Sequence, residues 1–271
     1  MSEQNTILTR QLPNTVETLE TELRALGLQA GMVVLVHSSL RALGWTSGGP
    51  VAVVQALMNV LTETGTLVMP AHSGDLSDPK YWENPPVPED WWQVIRDTMP
   101  TFHPAYTPTR GMGSIVECFR TFPDVKRSNH PQVSFCAWGK DATEITENHE
   151  LAFGLGEHSP LQKIYHLNGY VLLLGVGHGN NTSLHLAENH AKVGKSGLFG
   201  APVINEQGER EWCEYQDIDS DAVDAFEALG QQFEAVSTVA IGRVGNAETK
   251  LMRQRALVDF GTQWLKGKRV C

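Results

Sequence analysis

The sequence predicts an α/β fold. Short continuous apolar runs rich in β-branched residues alternate with stretches of apolar residues at helical spacing, and glycine or proline marks many of the changes from one to the other. The chain has 271 residues, 41% of them hydrophobic, which is enough to bury a large core. In order, Thr15 to Leu26 carries apolar residues at helical spacing and stops at Gly27. Met32 to Val36 is a run of the kind buried on both faces of a sheet, and it delivers His37-Ser38-Ser39-Leu40 at its end. Gly48-Gly49-Pro50 opens a helix over Val51 to Leu61, and Gly65 leads into a strand at Thr66 to Pro70. Residues 71–108 lose regular periodicity to prolines and aromatics and are expected to form a long irregular loop of functional use. A second set of elements begins at Gly113. It includes the strand Tyr170 to Leu174, the turn Gly175-Val176-Gly177-His178-Gly179 and a helical pattern from about Thr182. A strand at Val236 to Ile241, a Gly-rich bend at Gly242 to Gly245 and a helix from Lys250 to Leu265 close the chain.

Composition narrows the function classes. A net charge of -10 argues against nucleic acid, whose binding needs clustered Lys and Arg, and suits a cationic partner or plain solubility. No apolar run approaches the roughly 20 residues of a membrane span, and Met1 to Asn5 has no secretory character, so no membrane association is expected and the cytoplasm is the default compartment. Cys118, Cys136, Cys213 and Cys271 form no CxxC pair and imply neither disulfides nor a zinc ribbon.

The chemistry centres on Asn181-Thr182-Ser183-Leu184-His185-Leu186-Ala187-Glu188. With Asn181 or Thr182 as N-cap, His185 and Glu188 fall three residues apart on one helical face, where a carboxylate fixes the imidazole tautomer and raises its basicity. The alternative is a self-satisfied pair on a helix surface. The glycines before this helix do not have dinucleotide-binding spacing, since the third would fall on Asn180. His185, Glu188 and His190 do not follow the His-Glu-x-x-His order, so no metal is expected, although His72 and His178 are further possible ligands. His37-Ser38-Ser39 lacks a Gly-x-Ser-x-Gly elbow and reads either as ligand contacts or as ordinary turn chemistry. The segments Thr109 to Ser114 and Lys126 to Pro131 read as phosphate contacts or solvated loops, and Asp217 to Asp221 as helix-dipole complement or polyamine contact.

These segments together resemble the aminoglycoside 3-N-acetyltransferase family, the antibiotic N-acetyltransferases distinct from GNAT enzymes. The resemblance runs through His37-Ser38-Ser39-Leu40 with Gly48-Gly49, Met69-Pro70, Asn84 to Pro88 with Trp91-Trp92, and Arg110 to Gly113. It continues through Arg127 to Pro131, Gly154 to Leu161, Gly175 to Glu188 and Gly242 to Ala247, nearly the whole chain. The Arg/Gln-x-x-Gly-x-Gly/Ala run of GNAT enzymes is missing. The resemblance implies one compact domain over residues 1–271, with a central mixed sheet flanked by helices. It implies acetyl-CoA as cosubstrate and direct transfer to the 3-amino group of a 2-deoxystreptamine aminoglycoside. His185 would act as general base, Glu188 would orient it, and Thr182 would donate to the developing oxyanion or thiolate. Cofactor contacts would come from His37, Ser38, Ser39, Leu40, Arg110, Gly111, Met112 and Gly113, with Arg127, Ser128 and His130 at the nucleotide end. The partner would be a small polycationic amine, and a homodimer is compatible with the resemblance. The alternatives are another small amine, such as an amino-phosphonate, or a non-catalytic binder of a CoA ester or cation.

Overall fold

The computed structural model describes residues 12–219 and 223–268. Thr15 caps the first helix, α1 (Val16–Leu26), and Gly27 ends it in the left-handed conformation at φ 111°. The strand β1 (Val33–Ser38) follows, then a short helix α2 (Leu40–Leu43), α3 (Gly49–Leu61) with a proline in its first turn, and β2 (Thr66–Pro70). Beyond them lie α4 (Glu89–Thr98), α5 (Gly113–Phe119), β3 (Lys126–Arg127), β4 (Phe135–Gly139), α6 (Ala142–Thr146) and α7 (Pro160–His166). The remainder is β5 (Tyr170–Leu174), α8 (Ser183–Ala191), β6 (Lys195–Ile204), β7 (Arg210–Asp219), α9 (Val223–Val236), β8 (Ala240–Val244), β9 (Ala247–Arg253) and α10 (Gln254–Lys268).

Seven strands form one mixed sheet in the order β3-β4-β2-β1-β5-β9-β8, and β6 and β7 make a separate hairpin. Only the central trio is parallel: β1 pairs with β2 from Val33 opposite Thr66 and with β5 from Val34 opposite Tyr170. Alternation along the strands divides the core into two layers. Val34, Val36, Leu172 and Leu174 face Leu19, Leu57 and Val60 of α1 and α3, while Val33, Leu35, Val171 and Leu173 face Leu184, Phe226 and Leu257 of α8, α9 and α10. Burial on both faces explains why β1 and β5 read as unbroken apolar runs.

Three expectations are corrected. Residues 71–108 are not one irregular loop: they hold a 3₁₀ turn at Pro79–Tyr81 and the ten-residue α4. Helix α4 has no fully buried residue; Trp91, Val94 and Ile95 fall at helical spacing, acidic residues open it and Arg96 lies in its last turn, as the helix dipole favours. Buried Asp78 holds this arm together, accepting from Lys80 N at 3.0 Å and Arg96 Nη2 at 2.8 Å. The arm then packs Leu76, Met99 and Phe102 against Trp212 of the hairpin. At the C-terminal end, Val236 finishes α9 and the strand starts at Ala240, so the expected Gly-rich bend is mostly strand. Lys250 to Arg253 belong to β9, and the last helix begins at Gln254.

Candidate active site

Parallel strands β2, β1 and β5 end side by side, and each sends polar residues past its carboxyl end, where open α/β sheets place their ligands. Strand alternation puts His37 on the same face as Val33 and Leu35, the face covered by α8. Its Nε2 is buried without a partner, as is Nε2 of His72, two residues past β2. Burial, reinforced by the neighbouring His185, pulls each of these histidines down to about 3, so both are neutral at physiological pH. Ser38 Oγ is likewise buried and unpartnered, whereas Ser39 caps α2 by accepting from Ala42 N at 3.3 Å. Leu40 opens α2 and packs on the α1/α3 layer with Met112, which sits at the start of α5.

Past β5 the chain turns at Gly175, where φ is 75° and an added Cβ would lie 2.6 Å from Ala42 Cβ. Only glycine lets α2 approach the end of β5 this closely. A 3₁₀ turn at His178–Asn180 leads to α8. Of the two residues proposed as N-cap, Asn181 supplies the bond: its Oδ1 accepts from Ser183 N at 3.3 Å, and Thr182 makes no side-chain cap. One turn on, His185 Nδ1 donates to Glu188 Oε2 at 2.6 Å, with Glu188 1% exposed and His185 25%. Placing the proton on Nδ1 leaves the Nε2 lone pair free to accept another. The imidazole also meets Phe226 edge-on, with centroids 5.0 Å apart, and Asn189 Nδ2 donates to His185 O at 2.9 Å. The spacing therefore gives a supported pair half-sheltered at a strand end, not a solvated helix face.

Arg110 lies on the surface, ion-paired with Asp75, and its N–H donates to His72 O at 2.8 Å, tying the Gly111 and Gly113 turn to the end of β2. The three residues expected at the nucleotide end are bonded within the protein. Arg127 donates to Ser134 Oγ, Ala71 O and Thr107 O and lies over Phe102, pinning the arm to the sheet. Ser128 is fully buried between His149 Nδ1 and Phe135 N, each at 2.9 Å. His130, 1% exposed, accepts from Gln132 N and Val133 N at Nδ1 and donates from Nε2 to Leu151 O. Their bonding capacity is spent within the protein, which a basic, polar loop sequence does not reveal.

From sequence, Asp217 belongs to an acidic string that precedes a helix and complements its dipole, or contacts a polyamine. The structure puts it in β7, while Ser220 and Asp221 lie outside the described residues. Burial pushes the Asp217 carboxyl up, the N–H groups of Ile218 and Gly154 oppose that rise, and His185 is within electrostatic reach. Next to it, Tyr215 Oη is buried without a partner. Asp217's place within reach of His185 was not legible, because the hairpin that carries it has no simple alternation of burial. Among the described residues no helix is long and apolar enough to cross a membrane.

A mixed α/β sheet with a His-Glu pair at the ends of its parallel strands has the chemistry suited to proton transfer. A sequence model of the aminoglycoside 3-N-acetyltransferase family matches residues 35–266, and the chain belongs to that family. It is 51% identical over 253 residues to the SPbeta prophage-derived aminoglycoside N(3')-acetyltransferase-like protein YokD of Bacillus subtilis (strain 168), covering 93% of this chain and 92% of that one. The crystal structure of YokD superposes with a TM-score of 0.96 at 48% identity, covering 98% of each chain. Aminoglycoside N(3)-acetyltransferase III of Pseudomonas aeruginosa is 34% identical over 263 residues, 95% of each chain. The solved structure of AAC-IIIb with CoASH gives a TM-score of 0.81 at 28% identity, covering 95% of this chain and 98% of that one. The chain is thus an acyltransferase with acetyl-CoA as cosubstrate.

Proposed function

We propose that this enzyme acetylates the 3-amino group of a 2-deoxystreptamine aminoglycoside, with His185 as general base. The observation that carries the reading is the 2.6 Å bond from His185 Nδ1 to the buried carboxylate of Glu188. The amine nitrogen attacks the thioester carbonyl and forms the new C–N bond as His185 Nε2 takes the amine proton. Glu188 stabilises the imidazolium that results. Thr182, whose hydroxyl is not used in capping, donates to the oxyanion. Collapse of the tetrahedral adduct breaks the C–S bond, and the proton held on His185 neutralises the departing thiolate.

On this reading Ser38 Oγ and His37 Nε2, buried and without protein partners, are satisfied by the pantetheine arm, while Leu40 and Met112 shape its apolar wall. The Ser39 hydroxyl, which accepts from Ala42 N and can still donate, and the Arg110 to Gly113 turn serve the pyrophosphate. The acceptor is assigned on the aminoglycoside activity in the name of the P. aeruginosa relative, and the half-buried Asp217 carboxylate supports a cationic acceptor. Thiol release from acetyl-CoA, measured against a panel of aminoglycosides and amino-phosphonates with mapping of the acetylated nitrogen, tests the acceptor. Loss of turnover in His185→Ala, with acetyl-CoA binding retained, is the result expected for the base. Turnover close to wild type in that variant removes His185 from the role.

A further inference from the structure

Behind the catalytic helix lies a chain of polar side chains with no part in the mechanism above. His178 is completely buried in the 3₁₀ turn before α8, yet both of its ring nitrogens are engaged. Nε2 lies 2.8 Å from Glu234 Oε1 on α9, and Nδ1 lies 3.4 Å from Asn181 Nδ2. Lys250 Nζ of β9 reaches the same Glu234 oxygen at 2.8 Å. At the other end, Asn181 Oδ1 accepts from Ser183 N, the first residue of α8. Gly230 makes the docking possible: a Cβ there would stand 1.9 Å from His178 Cγ.

The donors and acceptors are consistent in one arrangement only. Glu234 carries Lys250 and accepts, so His178 Nε2 carries the proton and Nδ1 accepts from the Asn181 amide. That fixes the amide's orientation and aims its oxygen at the start of α8. Each link therefore specifies the next across four elements, ending in the turn that holds Thr182 and His185.

We propose that His178, Glu234 and Asn181 are positioning residues for acetyl transfer, holding the first turn of α8 so that Thr182 and His185 meet the thioester and the amine in register. This rests on His185 as the base. The chain is sensitive to the protonation state of His178. The charged and titratable groups that face it are Glu234 and Glu227 on α9 and Lys250 on β9. Burial is the largest influence and keeps His178 neutral to lower pH than an ordinary histidine. Once protonated, Nδ1 becomes a donor facing the donor amide of Asn181, and the link breaks.

The test compares Asn181→Ala and Asn181→Asp with wild type by acetyl-CoA thiol release with a 2-deoxystreptamine aminoglycoside, and by amide exchange at Ser183 to His185. Asn181→Ala should lower kcat by about tenfold to a hundredfold, leave KM for acetyl-CoA within about threefold, and speed exchange at Ser183 N–H. Asn181→Asp keeps the capping oxygen but turns a second acceptor toward Nδ1, so it works best with His178 as an imidazolium between two carboxylates. Acid protonates His185 in both enzymes alike, so the link is read from the ratio of Asn181→Asp to wild-type kcat, which should rise as pH falls and drop as pH rises. A folded Asn181→Ala with wild-type kcat and protected amides overturns the proposal. So does an Asn181→Asp profile that superimposes on wild type, and this isosteric variant decides if the alanine variant does not fold. Full activity in His185→Ala sinks the base assignment instead, whereas an inactive His185→Ala with an unshifted Asn181→Asp profile sinks only the positioning role.

Discussion

Glu188→Gln removes one charge from the proposed machinery while preserving its shape. The carboxylate is 1% exposed and bonded to His185 Nδ1 at 2.6 Å, so no water is placed to replace it. In the transition state the imidazole becomes cationic, and a hydrogen bond between charged partners is worth about 1.5–3 kcal/mol more than none. At 1.36 kcal/mol per decade this is a loss of about tenfold to a hundredfold in kcat. A second effect adds to it. The glutamine amide can donate to Nδ1, which moves the imidazole proton to Nε2 and removes the lone pair that the amine needs. Where a base is held in the wrong tautomer in a serine-protease triad, the loss reaches about 10⁴-fold. The expected fall in kcat therefore lies between about tenfold and 10⁴-fold, with KM for acetyl-CoA nearly unchanged. Thiol release under saturating amine measures it, and thermal melting confirms the fold. A folded Glu188→Gln within threefold of wild type would refute the idea that this bond prepares the base.

His37 and His72 sit near 3 when folded against 6.5 for the free side chain, so the unfolded chain binds more protons between those values. The stability they confer is complete above about 6.5 and drains away as pH falls toward 3, at up to about 1.4 kcal/mol per pH unit for each. Melting temperatures followed downward from pH 7 should drop, and His72→Asn should flatten that decline. Gly230→Ala forces a Cβ into the His178 ring and should cost about 1–3 kcal/mol or more, read as a depressed melting temperature. Asp217→Asn should raise KM for an aminoglycoside about tenfold while leaving kcat nearly constant, as expected where a half-buried carboxylate meets a cation; an unchanged KM would place the acceptor elsewhere.

What the sequence revealed was whatever short-range pattern determines. The run through Val36 is a strand because both faces are buried, and His185 and Glu188 share a helical face because they are three apart. What it hid depends on distant partners. Glu234 lies 56 residues from the His178 it holds, so nothing local marks either as part of the site. Arg127 and His130 look like ligand contacts in a loop, but the Thr107 and Leu151 carbonyls they reach come from other segments. The hairpin carries Gly, Pro and charged residues in strands without a regular buried face, so neither it nor Asp217 could be placed from pattern alone.

The division of the site follows from the pleat of one strand. Successive residues point to opposite faces, so His37 joins the layer of α8 and its base, and Ser38 joins the layer of α2 and α5. On the proposed reading the thioester lies across the end of β1, with the acyl carbon toward His185 and the pantetheine arm toward Ser38. An amine arriving from the Asp217 side then reaches the carbonyl without passing the pantetheine arm. Such an arrangement needs no group on the enzyme to carry the acetyl, since both reactants approach one strand end from separate layers. It accounts for a base built from a histidine and a carboxylate in a chain that presents no nucleophile elbow beside it.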